Sequence, residues 1–300
     1  MNHSAPAPRI LCVLGSDTPL GSSILEQGKA AGLACAGLSA HEIDLPNMRQ
    51  VQQAIPEAHW VVNCLEFDDL EKAEEYRSAA FDLNSEGARN AAKVCATRNI
   101  FFIQISTDCI FDGKKNEPYT ERDLPSPINV YGASKLAGEK AVRAEGGRSL
   151  IVRTQALFGQ GQDNYILQMM RTMEREHGSI HVLRDTITCP TYTRHLGQAI
   201  LRLCFLGKTG ILHVSANGEC SQYNLVRRLA ARIYPRIEIL EVTSQEAGLK
   251  ARRPGYTVFS KRRYQTWTGH TMPPWHDGLY EYLKDIGFFS VQPLPPGTHH

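Results

Sequence analysis

The sequence predicts an α/β chain, a doubly wound parallel sheet with a second, smaller α/β domain, on three observations. Apolar runs rich in β-branched and aromatic residues recur at 9–14, 33–38, 60–64, 101–105 and 149–154, each with the length and composition of a buried strand. Stretches of helix formers separate them, and strands alternating with helices build a parallel sheet covered on both faces. After Thr154 the pattern loosens into shorter, mixed elements. The expected division is 9–154 for the sheet domain, with a returning strand near 210–216, and 155–290 mainly for the second domain. A Pro-rich tail, 291–300, is expected to be loose.

The first strand leads directly into Gly15-Ser16-Asp17-Thr18-Pro19-Leu20-Gly21, and helical character follows from Ser22 to Ala31. Strand, glycine loop and helix in that order present backbone N–H groups and a helix dipole to an anion such as a pyrophosphate. Gly15 and Gly21 fit that role. Thr18 stands at the middle position and Pro19 lacks an N–H, so the loop by itself suits a plain βα turn equally well. The run 33–38 ends at Ser39-Ala40-His41 with no carboxylate at its tip, which leaves NAD and NADP open. Asp44 is placed to cap a helix over 47–55. After the strand 60–64 comes a helical stretch with Ala73, Ala79, Ala80 and Leu83. Asn84 then leads into a covering helix over 87–95.

The run 101–105 ends in Ser106-Thr107-Asp108. Pro125 and Pro127 exclude helix until about Ile128. From Tyr131 onward Ala133, Lys135, Leu136, Ala137, Glu139 and Lys140 are strong helix formers. Tyr131 and Lys135, four apart, therefore share one helical face. An ammonium beside a phenol lowers its pKa from the usual ~10, and a tyrosine so poised is a general acid or base for carbonyl–alcohol interconversion. Thr107, at the end of a parallel strand, offers a hydroxyl to the same substrate oxygen. On spacing alone, a packing tyrosine with its hydroxyl in water explains Tyr-x-x-x-Lys better.

Further on, 165–175, 193–205 and 223–233 read as helices, and 180–183 and 210–215 as strands. Arg252-Arg253-Pro254-Gly255-Tyr256 is a basic loop that Pro254 keeps from being helical. Its two guanidinium groups suit a phosphate, or equally a solvated turn.

Composition narrows the class. Three hundred residues with 42% apolar content make a globular chain of one large or two moderate domains. A formal charge of +2 gives no electrostatic case for nucleic acid or an anionic membrane surface. No apolar run approaches the roughly 18 residues of a membrane helix, and 1–8 lack the features of a signal peptide. Eight scattered cysteines without a C-x-x-C pair point to reduced, buried thiols in a cytoplasmic protein and to no metal site.

Taken as an ordered set, several stretches resemble the extended short-chain dehydrogenase/reductase superfamily. Within it they look most like the dTDP-4-dehydrorhamnose reductase family, which also includes the regulatory β subunit of methionine adenosyltransferase. The stretches are Ile105-Ser106-Thr107-Asp108, Ile110-Phe111-Asp112-Gly113, Pro118-Tyr119-Thr120-Glu121 and Pro127 through Lys140. Arg153-Thr154, Cys189-Pro190-Thr191-Tyr192, Gly210 through Ser215 and Ala251-Arg252-Arg253-Pro254 follow. The resemblance implies a Rossmann-type sheet with a cleft between two domains, and NADPH or NADH lying over Gly15, Thr18, Pro19, Leu20 and Gly21. It sets Asp44 and Leu45 near the adenine, and Asn63, Leu65 and Glu66 beside the cofactor. Thr107, Tyr131 and Lys135 become the catalytic set, with Tyr131 and Lys135 also touching the cofactor. Thr107, Asp108, Ala156 and Arg253 would face a nucleotide-sugar substrate carrying a 4-keto group.

Several positions depart from the family pattern. Thr18 replaces the middle glycine. Leu65 and Glu66 replace two small residues, so Glu66 would put a negative charge near the pyrophosphate. Cys109 replaces an aromatic residue, Ala156 a substrate-stacking Trp, and Thr186 a Gln. Ser23 replaces a Glu metal ligand of some members, so a metal-bridged dimer is not expected, while a homodimer as such stays open. The reading is a reductase. The alternative is a catalytically weak regulatory or binding subunit like the adenosyltransferase β subunit. A dehydratase or epimerase on this scaffold is less favoured, because the match around Thr107 is to the reductases.

Overall fold

The computed structural model describes residues 9–161, 164–176 and 178–288; 1–8 and 291–300 lie outside the described residues. Six parallel strands form the central sheet, in the order β10-β5-β4-β3-β1-β2. The first four are β1 (Ile10–Leu14), β2 (Ala34–Leu38), β3 (Trp60–Asn63) and β4 (Phe101–Thr107). Alternation along β1 decides which face each residue serves. Leu11 and Val13 join Val62, Ile103 and Val152 on one face, while Cys12 and Leu14 join Val61 and Phe102 on the other.

Helix α1 (Pro19–Ala30) follows β1 and begins earlier than the expected Ser22. Thr18 is its N-cap, with the Gly21 N–H on its Oγ1 at 3.0 Å, and Pro19 takes the first helical position. A missing N–H and a fixed φ make proline suited to that place. Helix α2 (Met48–Ala54) is capped by Asn47, whose Oδ1 accepts from Gln50 N, and not by Asp44. The stretch after β3 is broken into α3 (Leu70–Glu75), α4 (Arg77–Phe81), a π-helical turn (Asp82–Gly87) and α5 (Ala88–Thr97).

Beyond β4 a short 3-10 turn, Asp108–Ile110, precedes α6 (Val130–Ala144), with Asn129 as the cap for Gly132 N. Next come β5 (Ser149–Thr154), β6 (Leu157–Phe158), α7 (Tyr165–Arg175), β7 (Ser179–Leu183), β8 (Ile187–Thr188), β9 (Thr191–Tyr192) and α8 (Thr193–Leu206). Strand β10 (Gly210–His213) returns to the sheet beside β5. The chain continues through β11 (Cys220–Ser221), α9 (Gln222–Ile233), β12 (Glu238–Val242), α10 (Arg262–Thr268) and α11 (Trp275–Asp285).

A separate apolar cluster joins Phe158, Ile166, Met170, Ile180, Tyr192, Leu225 and Tyr282. The later chain is nevertheless not all in that cluster. Leu196 and Ile200 of α8, with Tyr264, Trp267 and Met272, pack on the sheet face of Leu11 and Val13. All eight cysteines are free thiols, six of them buried. Among the described residues no helix is long and apolar enough to cross a membrane.

Candidate active site

The site lies at the C-terminal ends of the strands, where parallel sheets of this kind place their ligands. Thr107 closes β4. Tyr131 and Lys135 sit on α6, which approaches the turn after β4 closely: a Cβ on Gly132 would come within 2.0 Å of the Cys109 carbonyl oxygen. Beneath the helix, Glu139 and Arg153 form a buried bidentate pair at 2.9 and 2.7 Å, and Ser106 Oγ donates to Glu139 Oε1 at 2.6 Å. Arg153 Nη1 reaches His213 Nε2 at 3.4 Å, and His213 Nδ1 lies 3.1 Å from the Tyr119 carbonyl. These charges compensate one another, as burial requires. They lock α6 to β4 and β5 one turn below the reactive face.

Tyr131 and Lys135 do share that face, and both point at one atom. Glu66 Oε2 lies 2.6 Å from Lys135 Nζ and accepts the Tyr131 hydroxyl at 3.0 Å. Lys135 Nζ also donates to the Ile105 carbonyl at 2.8 Å. Glu66 thus stands on the Tyr–Lys pair. One expectation is corrected here. The phenol is held well above its ordinary pKa, by burial first and then by the Glu66 carboxylate, with the Thr107 hydroxyl pulling the other way. The ammonium that was to lower it is neutralised by Glu66, so Tyr131 stays a protonated phenol.

Thr107 Oγ1 donates to Asp108 Oδ1 at 3.2 Å and accepts from Cys109 N. Asp108 itself is buried, and its other oxygen accepts from Thr257 and Thr188 hydroxyls and from Gln155 Nε2. It ties β4, β8 and the segment around Thr257 together through Oδ2, while Oδ1 accepts from Thr107. Burial raises its pKa, opposed by those hydrogen bonds. Gln155 completes the knot by donating to the Thr257 carbonyl at 2.6 Å and accepting from Ser215 Oγ at 3.0 Å. Ala156 follows at φ 39, a left-handed conformation that costs a residue with a Cβ. Thr186 Oγ1 is buried without a partner among the described residues.

Arg253 gives Nη2 to Glu71 Oε1 of α3 at 2.8 Å, while its Nη1 is buried without a hydrogen-bond partner among the described residues. The neighbouring Arg252 carbonyl accepts Asn129 Nδ2, so the basic loop touches the cap of α6. The loop thus packs on α3 and on the cap of α6 through Arg253 and the Arg252 carbonyl, while the Arg252 side chain stays exposed.

At the other end the glycine loop has the shape a pyrophosphate needs. Gly15 has φ +82, and a Cβ on Gly21 would stand 1.9 Å from the Gly15 carbonyl oxygen, so no other residue fits either place without movement. Thr18 folds its hydroxyl back onto Gly15 O at 2.8 Å, which turns the side chain into the loop. The Leu20 N–H makes no backbone bond among the described residues and opens the helix toward an anion. Leu65 is buried under Gly15. Asn63 accepts from Leu65 N at 3.1 Å and donates to Gln104 at 2.9 Å, shaping the loop after β3 from beneath. Leu45 is buried and Asp44 exposed. The residues fit a dinucleotide at the loop end. At the nicotinamide end the Glu66 carboxylate holds the Tyr131 hydroxyl and the Lys135 ammonium.

Sequence reasoning missed the Glu139–Arg153 pair and the Gln155 knot. Charged and amide side chains inside apolar strands, at Gln104 and Arg153, were the available signals, because such groups are buried only when partnered.

The RmlD substrate binding domain family matches residues 9–288. The chain is 32% identical over 277 residues to the spore coat polysaccharide biosynthesis protein SpsK of Bacillus subtilis, covering 91% of this chain and 96% of that protein. It is 34% identical over 255 residues to dTDP-4-keto-6-deoxy-D-glucose reductase of Streptomyces niveus, covering 82% and 86%. The crystal structure of dTDP-4-dehydrorhamnose reductase from Bacillus anthracis in complex with NADP superposes with a TM-score of 0.89 at 30% identity, covering 93% of this chain and 99% of that one.

Proposed function

The chain belongs to the RmlD substrate binding domain family, and from that premise we propose that it is an NAD(P)H-dependent reductase of a 4-keto deoxysugar nucleotide, of the dTDP-4-dehydrorhamnose reductase type. The observation that carries the reading is that Tyr131 Oη and Lys135 Nζ, one turn apart on α6, reach the same atom, Glu66 Oε2, with the Thr107 hydroxyl beside the phenol. A dinucleotide laid from the glycine loop toward that point has its pyrophosphate at the N-terminus of α1. The reduced nicotinamide, when bound, supplies the hydride.

The chain's own residues do the rest. Lys135, anchored by the Ile105 carbonyl, orients the nicotinamide ribose. Tyr131, kept protonated by its buried setting, gives its proton to the oxygen of the former carbonyl. Thr107, by turning its hydroxyl hydrogen from Asp108 Oδ1, hydrogen-bonds that same oxygen and limits its positions. Arg253, whose buried Nη1 has no hydrogen-bond partner among the described residues, serves the nucleotide phosphates. Asp108 shapes the sugar pocket by holding three segments in place.

The test is oxidation of NADPH or NADH by the purified protein with dTDP-4-dehydrorhamnose as acceptor. Turnover is expected, and Tyr131→Phe should slow it by roughly 10²–10⁴, the contribution of a lost general acid. Absence of turnover, or a Tyr131→Phe rate equal to the native one, overturns the reading. It would leave the regulatory-subunit alternative in its place.

A further inference from the structure

Glu66 is bound at its tip and pinned at its base. Its carboxylate holds Lys135 and Tyr131. On one side the Leu65 N–H donates to Asn63 Oδ1 at 3.1 Å. On the other, Phe67 N–H donates to Asn84 Oδ1 at 2.8 Å and its carbonyl accepts Asn84 Nδ2 at 3.1 Å. Asn84 is in turn bonded to Ser134 of α6 at 2.9 Å. The backbone around Glu66 is therefore tied to β3, to the π-helical turn and to the catalytic helix, and only the side chain has freedom to move. The side chain is 22% exposed while Lys135 is 3% exposed, so the carboxylate has a path to water and the ammonium has none.

We propose that Glu66 is a side-chain gate, whose carboxylate competes with the nicotinamide ribose for Lys135 and Tyr131 and rotates toward water when a reduced dinucleotide seats. This rests on the reading of the cleft as a nicotinamide site. Lys135 Nζ has three N–H groups, of which the Ile105 carbonyl and Glu66 take two, but Tyr131 has a single O–H and gives it to Glu66. A ribose diol that engages both side chains therefore has to displace the carboxylate from Tyr131. A protein that must leave a favoured closed state binds its ligand more weakly, in proportion to the fraction that is open. A ligand that ends at the pyrophosphate does not meet Glu66 at all. The gate thus discriminates between the two halves of the cofactor and keeps the Tyr–Lys pair hydrogen-bonded until the nicotinamide half arrives.

The experiment is calorimetric titration of NADPH, NADH and, separately, ADP into the native protein, Glu66→Gln and Glu66→Ala. Both variants should bind the reduced dinucleotides more tightly than the native chain, by about tenfold or more. ADP affinity should not change. Glu66→Gln keeps the side chain's shape and carries the test if Glu66→Ala does not fold. Dinucleotide affinity unchanged or weaker in the variants overturns the gate, and so does an equal tightening for ADP, which would signal a loosened glycine loop. If neither the native protein nor any variant binds a dinucleotide, the nicotinamide-site reading itself falls, and the gate with it.

Discussion

The cleft has two ends, and they are held by different means. At the glycine-loop end the geometry is backbone: a left-handed Gly15, a close approach at Gly21 and a capping Thr18, all within one turn of chain. At the Tyr131–Lys135 end the geometry comes from side chains on separate elements, gathered over long sequence distances by buried charge. Glu139 and Arg153 fix the helix from below, and Glu66 engages the reactive pair from above. Local backbone devices survive single changes with modest losses. A buried charge network does not, because removing one partner leaves the other desolvated and alone.

The largest effect should therefore come from the second end. Arg153→Ala leaves Glu139 buried without its partner and is expected to lower stability by about 3–5 kcal/mol, measured by denaturant unfolding. A loss under ~1 kcal/mol would show that the helix is held by apolar packing alone. At the first end, Gly21→Ala forces a methyl group against the Gly15 carbonyl and should cost about 1–3 kcal/mol. It should also weaken dinucleotide binding, because the loop has to open to admit it.

Acid should attack the charge-held end selectively. His213 is buried beside Arg153, with Arg263 also disfavouring its protonation and Asp123 favouring it weakly, so its folded pKa lies well below the ordinary imidazole value. The unfolded chain therefore binds the extra proton first. The contribution of neutral His213 is full above about pH 6.5 and is lost as the pH falls below it, at up to about 1.4 kcal/mol per pH unit. His213→Gln should flatten the stability profile between about pH 6.5 and 5; an unchanged slope would remove His213 from the account. The smallest effect is at the loop cap. Thr18→Ala removes the acceptor for Gly21 N and should cost only about 1 kcal/mol.

The same contrast explains what the sequence disclosed. The strands and most helices were readable because period-two and helical patterns are local, and α7 begins and ends where the pattern says. Helix α1 starts three residues before the run of helix formers, because Thr18 is its cap and Pro19 its first helical residue. Tyr131 and Lys135 were legible from their spacing in family context. The raised pKa of Tyr131 was not, because burial in the fold raises it first and Glu66, 65 residues earlier in the chain, adds to it. The place of Asp108 after Thr107 is legible in the sequence, but its partners are not. Only the fold shows that Thr188 and Thr257, distant in sequence, claim its carboxylate.

The central claim is that this cleft moves a hydride from a reduced nicotinamide to a sugar carbonyl under the proton of Tyr131. Reaction with NADPH carrying deuterium at the transferable nicotinamide position, followed by mass spectrometry of the sugar nucleotide, tests it most directly. One deuterium should appear on the carbon that bore the carbonyl, with the native protein and at a strongly reduced rate with Tyr131→Phe. Product without deuterium, or no product from a protein that binds both ligands, would contradict it.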